Sequence, residues 1–331
     1  MADTTARVAV DVMGGDHAPA VVLEGVARAL ADDASLEVLL VGPAHVVAPA
    51  ASDRCTPVVA TEIIAMDEHP ATAVRTKKDS SIVVGCRLVR ERSADAFFSA
   101  GSTGACMAAA TLGMGRVRGV SRPAIAAVIP GASGPTVLLD VGANADVKPD
   151  MLVQFGLMGR AYARTVLRVA DPRVALLNIG EEETKGSALA QEAHALMKVA
   201  VPGFSGNAEG RDVSSGRFDV IVTDGFTGNV TLKVLEGLAS TLMSQLRSAL
   251  TERTVNKLAA MVVAPSLARM KRRLDPEVYG GAPLLGVDGV CIIGHGSSNS
   301  TAVANGIAVA ARAARGRLTQ SIAEGIAGTT A

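Results

Sequence analysis
The chain has 331 residues with basic and acidic side chains equal at 32 each, so it lacks the cationic excess of a dedicated nucleic-acid binder. Aromatic residues make up 2% and tryptophan is absent, which also excludes a single-strand stacking platform. With 49% hydrophobic and 19% charged residues, the composition is that of a close-packed α/β protein rather than a disordered one.

The first predicted element is the strand RVAVDV (7–12), which follows an N-terminus with no apolar signal core. It halts at Gly14-Gly15-Asp16, where the missing side chains let something approach the backbone closely. LEVLLVG (36–42), DAFFSA (95–100), AIAAVIP (124–130), TVLLDVG (136–142), RVALLNIG (173–180), FDVIVTDG (218–225) and GVCIIG (289–294) read as further strands. All are continuously apolar, as strands covered on both faces are. Helical patterns such as SSIVVGCRLVRERS and VKPDMLVQFGLMGRAYARTVLR lie between them. This alternation predicts βαβ units in a single three-layer α/β/α domain over 1–331, with a mainly parallel sheet.

One region departs from the alternation. Leucines at 232, 235, 238, 242, 246 and 250 predict a long amphipathic helix. The segment 254–275 then places Leu258, Met261 and Val262 on one helical face. After Pro265, Leu267, Met270 and Leu274 form another face, beside Arg269, Lys271, Arg272 and Arg273. Residues 232–275 are therefore expected to project from the sheet domain as a helical hairpin. No window approaches the ~18 uninterrupted apolar residues of a membrane span, so a cytoplasmic protein is expected.

Cys55, Cys86, Cys106 and Cys291 contain no CxxC pair, and their spacing suits neither zinc nor a disulfide framework. Buried free thiols and no metal are expected. No P-loop, no GxGxxG after a strand, no HExxH and no GxSxG occurs. What does recur is a polar, glycine-bearing loop at strand ends: DVMGGD, SAGSTGA, DVGAN, NIGEE, TDGFTGN and IGHGSS. In open α/β sheets ligands sit beyond the carboxyl ends of the strands, so the six loops are expected to line one cleft.

Within these loops, Ser102, Thr103 and Gly104 open a helix, where N–H groups and hydroxyls suit an anion or simply cap the helix. TKKDSS sets Lys77 and Lys78 before another helix. Lys185 follows three glutamates, and Asn229 and Lys233 are four apart on a helix start, hence on one face. Asn207, Glu209 and Asp224 lie in neighbouring glycine loops, and His295 sits between two glycines. Five of the eight lysines fall in these loops or close after them in a chain otherwise rich in arginine.

Taken in order, VDVMGGDHAP, TKKDSS, SAGSTGA, GVSRPAIAAVIP, LLDVGAN, NIGEEETKG, GNAEGRD, DGFTGNVTLK, YGGAPLLGVDG and GHGSS resemble the signature blocks of the bacterial phosphate acyltransferase (PlsX) family. Ser102 stands where the family commonly has Asn, and Val12 where it commonly has Ala. The resemblance implies an isocitrate-dehydrogenase and phosphotransacetylase-like fold, a homodimer, and transfer of a long-chain acyl group from acyl carrier protein to inorganic phosphate. It also implies a soluble enzyme that touches the inner face of the cell membrane and feeds a glycerol-3-phosphate acyltransferase, with no cofactor.

The chemistry fits the residues, since phosphate is already anionic and a thiol leaves with a free pKa of about 8.5. On this reading Gly14, Gly15, Asp16, Ser102, Thr103, Gly104, Asn144, Asn207, Glu209 and Ser297 bind phosphate or the carrier arm. Lys185, Asn229, Lys233, Asp224 and His295 carry the catalysis, and Val262, Val263, Leu267 and Met270 meet the membrane. An acyl-enzyme on Cys106, a CoA-dependent short-chain phosphotransacetylase, a nicotinamide-dependent dehydrogenase and a non-enzymatic membrane-surface scaffold are the alternatives.

Overall fold
The computed structural model describes residues 5–252, 254–274 and 276–328. Eleven strands form one sheet: β1 (Ala6–Asp11), β2 (Leu36–Gly42), β3 (Cys55–Val59), β4 (Ala96–Ser99), β5 (Ala124–Ile129), β6 (Thr136–Leu139), β7 (Val174–Leu177), β8 (Phe204–Ala208), β9 (Val220–Val222), β10 (Ala282–Leu285) and β11 (Val290–Ile293). Their order is β3-β2-β1-β4-β11-β10-β5-β6-β9-β7-β8. All eight strands read from the sequence are present, and β3, β8 and β10 were not foreseen. The two outermost, β3 and β8, carry Pro57 and Gly206, residues that an edge strand tolerates and a periodicity reading discounts.

The third, β10, changes the architecture most. It pairs antiparallel with both β11 and β5, and β5 pairs antiparallel with β6; every other pairing is parallel. The register runs Ala282 to Ile293, Leu285 to Ala124 and Ala126 to Leu139. The carboxyl ends of β6, β9 and β7 therefore leave the sheet at the opposite strand ends from those of β1, β4 and β11. This corrects the expectation of six loops side by side at one edge. Strand twist works against this separation: at an average of roughly 20–25° per strand, the six steps from β1 to β9 would accumulate about 120–150°.

The helices are α1 (Ala20–Asp32), α2 (Ala44–Val47), α3 (Pro70–Thr76), α4 (Ser81–Arg90), α5 (Thr103–Ala109), α6 (Pro149–Thr165), α7 (Ala188–Ala200), α8 (Gly225–Thr251), α9 (Thr254–Leu274), α10 (Ser300–Arg315) and α11 (Leu318–Ala327). Successive strand residues face opposite sides, so the sheet carries two cores. Val8, Val10, Val38 and Leu40 pack with Val22, Val26, Phe155, Met158, Tyr162, Val303 and Ile307 from α1, α6 and α10. Ala9, Val41 and Phe97 pack with Ile82, Val84 and Cys106 from α4 and α5. Helices thus cover both faces of the sheet.

The first turns of α8 rest on the sheet, with Leu232 and Leu235 half-buried against the core. Beyond them α8 is largely exposed and packs on α9. Pro265 lies inside α9 instead of dividing it. A proline costs one intrahelical bond and crowds the preceding turn, but it does not by itself set a helix end. α8 ends at Thr251 and α9 begins at Thr254. Val262, Val263, Leu267 and Met270 accordingly lie along the flank of α9, not at its tip. Val262 is 81% exposed, Val263 and Met270 are exposed, and Leu267 is half-buried. The side chains of Leu258, Lys271, Arg272, Arg273 and Leu274 lie outside the described residues.

Gly228 marks where α8 meets the loop after β6, because an added Cβ there would collide with the Asp140 carbonyl oxygen. Backbone cannot give way as a flexible side chain would, so Gly228→Ala is expected to destabilise the fold by about 2 kcal/mol or more in urea unfolding. An unchanged midpoint would remove this contact from the framework.

Candidate active site
The loops assemble in two groups. In the first, β1, β4 and β11 are parallel neighbours whose carboxyl ends lie together. The Asp16 N–H donates to the Gly296 carbonyl at 2.8 Å, and the Gly294 N–H donates to that of Ser99 at 2.8 Å. Gly14 is where side chains must be absent. A Cβ there would meet the Gly101 nitrogen at 2.7 Å and both Asp11 Oδ2 and Ser99 Oγ at 2.8 Å. Gly15 has φ +107°, a conformation L side chains rarely adopt, and it abuts Gly296 and Ala100. The crevice here, lined by Gly14, Gly15, His17, Ala18, Val21, Val22, Ala100, Gly296, Ser298 and Val303, is too tight for a water molecule.

Beneath this crevice lies a residue that the sequence reading missed. Asp11, the last residue of β1, is 2% exposed. Its Oδ1 accepts the Met13 N–H at 3.0 Å and its Oδ2 the Ser99 hydroxyl at 2.7 Å. Ser99 Oγ in turn accepts the Gly101 N–H at 3.0 Å. Burial pushes the Asp11 carboxyl above its ordinary value, against hydrogen bonds from Ser81, Ser99, Met13 and Gly14 that lower it. The signal was available: a carboxylate closing an apolar run is either exposed or tightly partnered.

Around it, Ser102 caps α5, its Oγ accepting the Ala105 N–H at 3.4 Å, while Thr103 is exposed and Gly104 packs on Pro70. His295 is exposed, and its Nδ1 lies 2.8 Å from Ser297 Oγ and accepts the Ser297 N–H at 3.3 Å. A neutral ring with Nδ1 accepting carries its proton on Nε2. Lys77 is held by Glu68 at 2.6 Å and the Ile63 carbonyl at 2.8 Å, and Lys78 reaches the Val74 carbonyl at 3.3 Å, so both ammonium groups tie their own loop.

The second group forms at the ends of β6, β7, β8 and β9. Asp140, fully buried and also missed, collects five donors. Oδ1 accepts the N–H groups of Ile125, Gly142 and Ala143 at 3.0–3.2 Å, and Oδ2 accepts the Asn144 N–H at 2.7 Å and Nδ2 at 2.9 Å. Burial raises its pKa and these bonds pull it back. Asn144 Nδ2 also donates to the Pro123 carbonyl at 2.9 Å. Its amide donors are thus engaged internally, leaving only an acceptor oxygen, and this argues against direct contact with phosphate.

Three more expected ligand or catalytic residues are hydrogen-bonded within or between their loops. Asp224 caps α8, accepting the Thr227 N–H at 2.8 Å and hydroxyl at 2.7 Å. Glu209 exchanges cap hydrogen bonds with Asp212 and pairs with Arg211. Asn207 is buried between His194 and the Glu182 carbonyl. Short polar side chains beside glycine serve capping as readily as ligation, so composition could not separate the two roles.

The exposed residues of this group are Lys185, Asn229 and Lys233. Asn229 overlies Gly142, and Lys233 pairs with Glu236 at 2.8 Å. Lys185 is different. Glu181 is neutralised by Arg217 at 2.6 Å and Glu183 by Lys198 at 2.6 Å. Among the described residues no acid pairs with the Lys185 ammonium, despite three glutamates close by in sequence.

Cys106 lies on the buried side of α5, and burial pushes its thiol up to about 12. It stays protonated at neutral pH and is a poor nucleophile. No group of three or more His, Cys, Asp or Glu side chains is arranged to hold a metal among the described residues, and no described helix is long and apolar enough to cross a membrane.

The fold is that of a phosphotransacetylase-like α/β protein. A phosphotransacetylase from Streptococcus pyogenes superposes with a TM-score of 0.61 at 17% identity, covering 94% of each chain. A branched-chain phosphotransacylase from Enterococcus faecalis gives 0.57 at 14%, covering 94% of this chain and 99% of the other. At such identities the likeness concerns the fold alone. The sequence goes further: a phosphate acyltransferase of Heliobacterium modesticaldum is 50% identical over 329 residues, 97% of this chain and 98% of that protein. The chain belongs to the fatty acid synthesis protein family, whose model matches residues 6–321, and it is an acyltransferase.

The raised Asp11 pKa has a signed consequence. Below its unfolded value of 3.8 the group is protonated in both states and contributes nothing. Above its folded value the buried charge weakens the fold in full. The stability of the wild type minus that of Asp11→Asn is therefore expected to fall as pH rises from 4 to 7, measured by urea unfolding. A difference that is flat, or that rises, would show the carboxylate to be fully compensated.

Proposed function
We propose that this acyltransferase moves a long-chain acyl group from acyl carrier protein to inorganic phosphate. A phosphate oxygen attacks the thioester carbonyl carbon, the C–S bond breaks, and the proton of hydrogen phosphate passes to the departing thiolate. The products are acyl phosphate and the free carrier thiol. No base is needed to generate the nucleophile, so positioning and charge stabilisation carry the rate. These can supply roughly 7–11 kcal/mol and about 2.7–4 kcal/mol per oxyanion donor, respectively.

The observation that carries this reading is the unpaired Lys185 ammonium at the rim of the second loop group. A compact cation with no acid among the described residues within ion-pairing distance suits a phosphate dianion. Lys233 and Asn229 lie one helical turn apart on α8 and extend the same polar surface. From the first loop group, the Gly14-Gly15-Asp16 and Ser102-Thr103-Gly104 loops offer N–H groups to the thioester end of the substrate. His295 Nε2–H is a donor for the carbonyl oxygen, with Ser297 holding the ring. Asn144, Asn207, Glu209 and Asp224 act by holding these loops.

The exposed residues Phe226, Val230, Val234, Leu238 and Leu242 repeat every four positions along α8. This apolar ridge fits the homodimer expected for the family. The exposed Val262, Val263 and Met270 fit contact with the inner face of the membrane, where a glycerol-3-phosphate acyltransferase consumes acyl phosphate.

Lys185→Ala is expected to lower kcat/KM for phosphate roughly tenfold or more with the unfolding midpoint unchanged. Wild-type rates in a carrier-thiol release assay would remove Lys185 from the mechanism. The same assay with long-chain acyl-CoA in place of acyl carrier protein is expected to run far slower. Equal rates would favour a CoA-dependent phosphotransacetylase. In liposome flotation with anionic vesicles, Val262→Asp with Val263→Asp is expected to abolish binding, and persistent flotation would refute the α9 flank as the contact.

A further inference from the structure
His194, on α7, takes no part in the mechanism above, yet it is 4% exposed and fully engaged. Its ring meets Phe204 edge-on, with centroids 5.1 Å apart. Its Nδ1 is 2.9 Å from Asn207 Oδ1. Asn207 Nδ2 donates to the Glu182 carbonyl at 2.9 Å, so the Asn207 amide is oriented with its oxygen toward the histidine. The ring must then donate from Nδ1, while Nε2 lies 3.7 Å from Glu183 Oε1.

The Glu182 carbonyl accepts a second bond, from the Lys185 N–H at 3.1 Å. On the other side of the same residue, the Lys185 carbonyl accepts from Asn178 Nδ2 at 3.1 Å. An unbroken chain therefore runs from His194 Nδ1–H to Asn207, to the Glu182 carbonyl, to the Lys185 backbone. Each link fixes the donor or acceptor sense of the next. A helix-buried ring thereby sets the turn that carries the exposed ammonium.

We propose that His194 is a positioning residue for Lys185, acting through Asn207 and the Glu182 carbonyl. The proposal rests on Lys185 as the phosphate ligand. Misplacing a substrate-binding group by an ångström is enough to change its binding markedly, so the effect should fall on phosphate use.

The test compares His194→Phe, His194→Asn, Asn207→Asp and Lys185→Ala in the full-length protein. Phe keeps a flat ring against Phe204 but removes the donor. Asn restores an N–H near the Nδ1 position. Asp at 207 keeps an acceptor for His194 but loses the donor to Glu182. His194→Phe and Asn207→Asp are expected to raise KM for phosphate roughly tenfold with little change in kcat, and His194→Asn to recover most of the loss. Hydrogen exchange at the Lys185 N–H should accelerate in the first two variants and not in the third. If Lys185→Ala impairs phosphate use while folded His194→Phe does not, the positioning role is overturned and Lys185 stands. If Lys185→Ala is itself normal, the Lys185 reading falls. The exchange rate then decides the structural link alone, and unchanged protection in His194→Phe refutes it.

Discussion
Everything in this molecule is arranged around a reversal of strand polarity inside one continuous sheet. The short strands β10 and β5 run so that β6, β9, β7 and β8 point against β1, β2, β3, β4 and β11. In a flat sheet this would send the two sets of carboxyl ends apart. Average strand twist, accumulated over the six steps from β1 to β9, works against that separation.

The loops at these strand ends are held from below by buried carboxylates. Asp11 and Asp140 occupy equivalent places, each at the end of an apolar strand and under a glycine turn, and each gathers backbone N–H groups that would otherwise be unpaired. Such groups carry a burial penalty that only complete hydrogen bonding offsets, so the loops have little freedom to rearrange. Rigid loops are what the proposed direct attack of phosphate requires, because its rate would depend on where substrate groups are placed. Charge is handled in the same way. After β7, Glu181 pairs with Arg217 and Glu183 with Lys198, whereas Lys185 in the same loop has no ion pair among the described residues.

Read from the chain alone, the class of fold, eight of the strands, the helical departure after β9 and the glycine loops were all legible. So was the family, because ten short blocks in fixed order are far more specific than any one of them. These features are local: apolar runs, turn residues and helical periodicity act within a few residues of one another. Which polar residues meet a ligand was much less legible. Asn144, Asn207, Glu209 and Asp224 have the composition of ligands, but their hydrogen-bonding groups are taken up by the framework. Asp11, Asp140 and His194 looked unremarkable in sequence, yet they anchor the loops.

Sequence by itself determined what each segment is and which chemical groups stand at the strand ends, since both follow from local pattern. Tertiary structure alone decided which strand ends are neighbours, which amides are engaged and which acids pair with which cations. Each of these depends on partners far apart in the chain, such as Asp11 with Ser99, His194 with Asn207 across the α7–β8 packing, and Arg217 with Glu181. A hydrogen bond or an ion pair has no periodicity from which it could be read. It exists only once the strands have been ordered and the sheet has twisted.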